Sequence, residues 1–329
     1  MLKDSFGRHI DYLRIGVTDR CNLRCNYCMP IEGINYGPRA NLLSFEEIIR
    51  AVRILSEEGI RKLRITGGEP FLRKDLMALL KSLSDLPLIE KIAITTNGTF
   101  TLKYLDEIEA LGIRTINLSI DSIDPVRFET ITRTNQFKNV WTSYQTMLSR
   151  NFDLKLNCVV LEKHNIKDII PMVELGRDHN VSIRFIEEMP FNGTGDYHDV
   201  LEWDYKKILA HIKSRYPNVE LINSPVGSTS INYRVKGFKG SFGIIPAYSR
   251  TFCGSCNRIR LTPNGNLKTC LYEKGVFNLR DLMRAGASDA QILDAVKDAI
   301  QGKAKDGFES ERIAMQQNSF VESMAKIGG

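Results

Sequence analysis

Six short apolar runs punctuate the first half of the chain: Tyr12–Val17, Lys62–Thr66, Lys91–Thr96, Thr115–Ile120, Lys155–Leu161 and Ser182–Glu187. Between them, apolar residues recur at helical spacing. That alternation predicts βαβ units and a parallel sheet. Ser44 with Glu47 three residues on predicts a capping box at a helix start, and Gly59 predicts its stop. Further helices are expected over Lys74–Ser84, Leu102–Ala110, Val126–Thr130, Val140–Arg150 and Ile166–Asp178.

The strands are unusual for buried parallel strands, which read as continuous Val, Ile and Leu. Polar residues recur at every second position instead: Arg14; Arg64 with Thr66; Thr95 with Asn97; Asn117 with Ser119 and Asp121; Lys155 with Asn157; and Arg184 alone in the sixth. Period two puts each set on one face of its strand. With helices covering the other face, the polar set must line a wet interior. The expected fold is therefore an α/β architecture, an incomplete, open parallel β/α barrel of about six strands around a ligand cavity, not a packed barrel core.

After Pro190 the pattern loosens. Residues 191–200 read as a loop, and Trp203–Ser214 as a helix. From about Asn218 the chain turns glycine-rich and β-like, over Tyr233–Phe238, Phe242–Pro246, Arg258–Thr262 and Leu267–Thr269 around the turn Pro263-Asn264-Gly265. The shift divides the chain into a partial barrel over residues 1–217 and a smaller, β-rich C-terminal domain over 218–329. No internal repeats or low-complexity tracts occur.

Composition narrows the classes. The 329 residues leave room for one large and one smaller domain. There is no apolar run of about 18 residues, so no membrane span is expected. The N-terminus has no apolar h-region and is not an Arg- and Ser-rich transit peptide, so a cytoplasmic protein is expected. In such a reducing compartment the seven cysteines read as metal ligands, not disulfides. Net charge is +6 without a block of consecutive Lys or Arg, which fits either a solvated surface or a cleft for an anionic substrate.

The cysteines supply the chemistry. Cys21, Cys25 and Cys28 form C-x3-C-x2-C within eight residues, close enough for one metal centre. Three thiolates are one short of the usual four for a cubane iron–sulfur cluster, leaving one iron open to an exogenous ligand. Cys253, Cys256 and Cys270 form a second triplet, C-x2-C-x13-C. Zinc normally needs a fourth Cys or His nearby, and none of the five histidines lies within 40 residues of this triplet. Zinc completed by a distant ligand or water, and a second three-ligand cluster, both stay open on these residues. Cys158 sits mid-strand and reads as core packing.

C-x3-C-x2-C with Tyr27 before its last cysteine resembles the signature of radical S-adenosylmethionine (SAM) enzymes. TGGEP, ending the second strand, resembles that family's SAM amino-group motif. Together with the second triplet, TTNG, RFIEEMP and the terminal Gly328-Gly329, the chain from about Phe6 to Gly329 resembles the molybdenum cofactor biosynthesis protein A family of GTP 3′,8-cyclases. Gly16 departs from it, standing where serine is common.

That resemblance implies two [4Fe–4S] clusters, on Cys21, Cys25 and Cys28 and on Cys253, Cys256 and Cys270. It implies SAM contacts at Tyr27, Gly68, Glu69, Ser119 and Met189. It implies GTP contacts at Arg14, Arg64, Thr95, Lys155, Arg258, Ile259 and Arg260, and catalytic roles for Arg258, Arg260, Gly328 and Gly329. The implied reaction, the first step of molybdenum cofactor biosynthesis, converts GTP to (8S)-3′,8-cyclo-7,8-dihydroguanosine 5′-triphosphate. Hydrogen is abstracted at ribose C3′, which then joins guanine C8. Implied partners are a flavodoxin- or ferredoxin-type electron donor and cyclic pyranopterin monophosphate synthase downstream, with a homodimer left open. No P-loop motif exists to hold a triphosphate, so arginines and lysines must. Two rivals differ in kind. A peptide-modifying radical SAM enzyme would carry more C-terminal cysteines. A zinc-stabilised nucleic-acid-binding protein would leave the first triplet and the polar strand faces unexplained, and no Lys/Arg cluster with interleaved aromatics supports it.

Overall fold

A computed structural model describes residues 1–189, 201–225, 227–316 and 323–327. The loop expected over 191–200 and the terminal Gly328 and Gly329 lie outside the described residues. The first six strands, β1 (Tyr12–Gly16), β2 (Lys62–Thr66), β3 (Lys91–Thr96), β4 (Thr115–Ser119), β5 (Asp153–Val160) and β6 (Ser182–Glu187), pair in sequence order, all parallel.

Helices cross over between them: α1 (Phe45–Glu57), α2 (Leu76–Ser84), α3 (Leu105–Ala110), α4 (Pro125–Thr132), α5 (Phe137–Ser149) and α6 (Ile169–Glu174). The capping box at α1 is present: the Ser44 hydroxyl accepts from the Glu47 N–H, and the Glu47 carboxylate accepts from the Ser44 N–H. Helix α6 ends four residues short of the expected Asp178. The chain turns there to run Gly176 against Gly240, and the Gly240 N–H donates to the Gly176 carbonyl. Cβ atoms at Gly240 would meet backbone on three sides, so a longer helix has no room.

Strand alternation divides the molecule. Leu13, Ile15, Leu63, Ile65, Ile94, Ile116, Leu118, Leu156, Ile183 and Phe185 point outward into one core with Ile48, Val52 and Leu55 of α1, Leu79 and Leu83 of α2, and Val140 and Met147 of α5. Each fully buried side chain of this kind contributes about 1.5–3 kcal/mol.

The C-terminal part departs from the expected separate β-rich domain in two ways. After α7 (Tyr205–Arg215), the strands β7 (Val219–Ile222), β8 (Ile231–Val235), β9 (Ser241–Ile245), β10 (Arg258–Leu261), β11 (Asn266–Lys268) and β12 (Phe277–Asn278) join the barrel's own sheet. Its order is β12-β11-β10-β1-β2-β3-β4-β5-β6-β9-β8-β7. Strand β10 runs parallel to β1 and β9 parallel to β6, so the barrel strands number eight, with antiparallel extensions at both edges. An open six-stranded sheet would leave two bare edges, and the C-terminal chain covers both. The same region is also helical: α8 (Leu279–Arg284), α9 (Asp289–Gln301), α10 (Gly307–Gln316) and α11 (Met324–Ile327). The signal for α9 lay in the sequence, as Ser288 and Gln291 form a capping box ahead of Ile292, Val296 and Ile300.

Candidate active site

The sheet curls around a cavity of about 580 Å³ whose wall draws on β1 to β6, β9 and β10. Register sets that wall. Arg14 lies level with Arg64 on β2 and with Arg260 on β10, which makes one row of three guanidiniums. The row below holds Arg258, Tyr12, Lys62 and Lys91. Further round, Thr95 lies level with Asn117 and Lys155, and Ser119 with Asn157 and Arg184. Ala93 sits beside Arg64, and its small side chain leaves the guanidinium free to reach across to β4. There the Asn117 amide, with its oxygen turned inward, accepts from Arg64 (Nη2···O 3.1 Å).

Eight cations line the cavity: Arg14, Lys62, Arg64, Lys91, Lys155, Arg184, Arg258 and Arg260. Among the described residues the one carboxylate in that lining is Asp121. Lys62 pairs with Asp11, and Lys91 and Lys155 with Asp153, at the rim. The arginines are expensive to keep charged. Burial, then Arg64, lowers Arg184 to about 10; burial, then Arg258, lowers Arg260 to about 10. Burial, then Arg260 and Arg64, holds Arg14 well below its ordinary value. The Arg184 Nε, Thr95 Oγ1 and Asn157 Oδ1 are buried without a hydrogen-bond partner. A wall of crowded cations and unsatisfied polar atoms is complementary to a polyanion with hydroxyl and amide edges.

Both cysteine triplets open onto this same cavity: Cys21, Cys25 and Cys28 at one side, Cys253, Cys256 and Cys270 at the other. All six are free thiols. Burial pushes Cys21 up to about 12, Cys28 up to about 11, and Cys25 well above its ordinary value. Thiols this reluctant to ionise alone become ligands only when the incoming group supplies positive charge. Among the described residues no three His, Cys, Asp or Glu side chains are gathered tightly enough for a single ion. A cubane places each cysteine on a different iron, so its ligands stand further apart than those of one zinc. The donor set, three thiols per site with no fourth ligating side chain among the described residues, fits that arrangement.

The first triplet is held by the turn after β2. The Gly68 N–H donates to the Thr18 carbonyl and the Glu69 N–H to the Arg20 carbonyl, both at 2.8 Å. A Cβ on Gly68 would lie 2.4 Å from the Arg20 oxygen, and one on Gly67 2.5 Å from the Thr18 oxygen. These glycines thus let the turn lie against the cysteine loop itself. Glu69 sits behind the wall, not in it. Its carboxylate accepts from the N–H groups of Phe71 and Asn97 and from the Thr96 hydroxyl, while burial pushes its pKa up to about 7. Tyr27 donates to Asp121 Oδ2 at 2.9 Å, and Asp121 Oδ1 accepts from the Val159 N–H, which ties the loop to β4 and β5.

Of the residues picked out in the sequence, Tyr27, Gly68, Ser119, Met189, Arg14, Arg64, Thr95, Lys155, Arg258 and Arg260 line the cavity with the six cysteines. Ile259 does not; strand alternation turns its side chain into the outer core. Cys158 is core, as expected. Arg184, the polar residue noted on the sixth strand, lines the wall too, and Tyr12, Lys62 and Lys91 complete it, carrying the same two-residue period back toward the strand starts. The residues at the closed end are less legible. Ser323 donates to the Cys28 carbonyl at 2.6 Å, and Met324 and Ala325 line the cavity beside it, bringing the end of the chain to the first triplet.

Comparison with known proteins agrees with this geometry. Residues 15–176 match the model of the Radical SAM superfamily, and 181–308 match Molybdenum Cofactor Synthesis C. Molybdenum cofactor biosynthesis protein 1 of Drosophila melanogaster is 42% identical over 92% of this chain but 54% of its own length. The chain thus spans about half of such relatives. GTP 3′,8-cyclase of Clostridium perfringens is 38% identical and matches over the full length of both chains; the mitochondrial GTP 3′,8-cyclase of Arabidopsis thaliana is 37% identical over 92% of this chain and 78% of its own. The crystal structure of Streptococcus suis SuiB bound to S-adenosylmethionine superposes with a TM-score of 0.63 at 16% identity, covering 91% of this chain and 68% of that one, a likeness of fold alone. With a full-length relative at this identity and both family models matched in order, the chain belongs to the GTP 3′,8-cyclase family within the radical SAM superfamily.

Proposed function

We infer that this chain is a radical SAM GTP 3′,8-cyclase. The observation that carries the inference is a single cavity lined by both cysteine triplets, with the cation rows of β10, β1 and β2 between them. Cys21, Cys25 and Cys28 would hold one [4Fe–4S] cluster, and Cys253, Cys256 and Cys270 a second. SAM would lie by Tyr27, Gly68, Ser119 and Met189, with Glu69 acting through the turn it organises. When bound, the first cluster and SAM supply a 5′-deoxyadenosyl radical.

The chain's own residues decide what such a radical meets. Arg14, Arg64, Lys155, Arg258 and Arg260 would take the triphosphate, with Thr95 offering its unsatisfied hydroxyl and Ile259 contributing main chain only. Holding the nucleotide between the two triplets fixes which ribose hydrogen faces the radical source. Residues 323–325 beside the first triplet would help to exclude water, and Gly328 and Gly329 would take part in the same chemistry. The segment over residues 218–329 is then the part of the chain that would carry the second cluster. An electron donor of flavodoxin or ferredoxin type and, downstream, cyclic pyranopterin monophosphate synthase complete the assignment in a cytoplasmic setting. Anaerobic incubation with SAM, dithionite and GTP deuterated at C3′ tests it. Deuterium is expected in 5′-deoxyadenosine. Unlabelled 5′-deoxyadenosine from this substrate, with label transferred instead from GTP deuterated at another ribose carbon, or a colourless zinc protein without SAM cleavage, overturns the assignment.

A further inference from the structure

Behind the second triplet, outside the cavity lining, lies a lysine that no part of the proposed chemistry uses. Lys303 follows α9 and is 3% exposed. Its ammonium donates to the Arg258 carbonyl at 3.1 Å and to the Thr269 carbonyl. Among the described residues no carboxylate pairs with it. A buried ammonium held by neutral carbonyls alone is poorly compensated for the water it has lost. Some anion must face it.

The placement says which. Thr269 precedes Cys270, and Arg258 follows Cys256 by two residues, so both carbonyls belong to the segments that carry the thiols. Arg8 holds the other side of the site. It is pinned by Asp4 and donates to the Cys253 carbonyl at 3.0 Å and to the Lys305 and Ala304 carbonyls at 2.7 Å. At the first triplet the buried carboxyls Glu69 and Asp121 stand nearby, and Arg133 donates to the Met29 carbonyl at 3.1 Å.

We propose that Lys303 is the counter-ion of the cluster on Cys253, Cys256 and Cys270, a positioning residue that raises this cluster's reduction potential. The proposal rests on the second-cluster assignment. Net charge around an iron–sulfur centre is one determinant of its potential, because reduction adds a negative charge that a nearby cation stabilises. The ammonium of Lys303 therefore makes this centre easier to reduce than the same centre without it.

The test isolates the second site in the full chain by replacing Cys21, Cys25 and Cys28 with alanine, then reconstituting with iron and sulfide. Midpoint potentials are read by redox titration followed by electron paramagnetic resonance. Lys303→Gln keeps donors for both carbonyls without the charge, and Lys303→Arg keeps the charge. The Gln variant is expected to shift negative by the equivalent of a tenfold change in the reduction equilibrium, about 59 mV for one electron, with the Arg variant near the parent. If the Gln variant loses the cluster while Arg retains it, the same conclusion holds. Equal potentials in the parent and the Gln variant overturn the counter-ion role, as does loss of the cluster in both variants. Failure of the parent itself to bind about four irons overturns the second-cluster assignment instead, so the two failures are distinguishable.

Discussion

At the scale of single residues, the first triplet depends on two contacts that leave no slack. Gly68 lies so close to the Arg20 carbonyl that any side chain must push main chain aside. Gly68→Ala is expected to cost about 1–3 kcal/mol of apo-chain stability, the range for overpacking, and to lower iron retention at Cys21, Cys25 and Cys28. Urea unfolding with iron analysis checks both. Asp121 gives a pH signature. Burial lifts its carboxyl from 3.8 to about 6 in the folded chain, so the folded state keeps a proton that the unfolded state releases. Its contribution is then fully present below pH 3.8 and lost as pH rises through about 6, a loss of about 3 kcal/mol. Asp121→Asn lacks that slope. Denaturant melts of the two apo chains should agree most closely in acid and diverge in favour of Asn above pH 6; parallel profiles would count against a raised carboxyl. Much of this scale was legible beforehand, since cysteine spacing and two-residue polar periods are local. Ile259 and Glu69 were not: one is placed by strand parity, the other by main-chain donors that only the folded turn brings to it.

Individual elements carry the next level. Helix α10 is fastened by Arg250, which lies between the rings of Tyr272 and Phe308 at 3.8 and 4.3 Å and pairs with Glu311 at 2.8 Å. The pair is nearly buried, with 3% and 17% of the two side chains exposed. Arg250→Ala removes both the guanidinium that pairs with Glu311 and its stacking between the two rings, and is expected to cost about 3–5 kcal/mol. Amide hydrogen exchange over 307–316 should rise well before the strands open, and protection unchanged there would discount the clamp. Strands β2, β3 and β6 fall where their runs indicated, because alternating apolar and polar residues between turn signals mark a strand locally. Strands β7 and β12 did not. Four and two residues long, with exposed positions on β7, they exist because neighbours already in the sheet offer them an edge.

The whole molecule shows a conflict between stability and binding. The row Arg260, Arg14, Arg64 places like charges side by side in a buried wall. A polyanion seated on the row would draw all three guanidiniums to itself. Arg260→Gln is expected to weaken GTP binding by tenfold or more. Titration calorimetry of the apo chain with GTP measures it, and an unchanged affinity would remove Arg260 from the triphosphate site. The sheet's assembly belongs to this scale too, and it was hidden from local pattern: nothing in the sequence of β10 says that it pairs with β1, some 245 residues earlier. That pairing has a consequence for synthesis. A ribosome that has made the first 217 residues holds a sheet with two raw flanks, whose missing neighbours are still untranslated messenger. Until the final strands emerge, the nascent chain is a template for sticking to its siblings, and protection by a holdase is due on the very portion that carries most of the cavity wall.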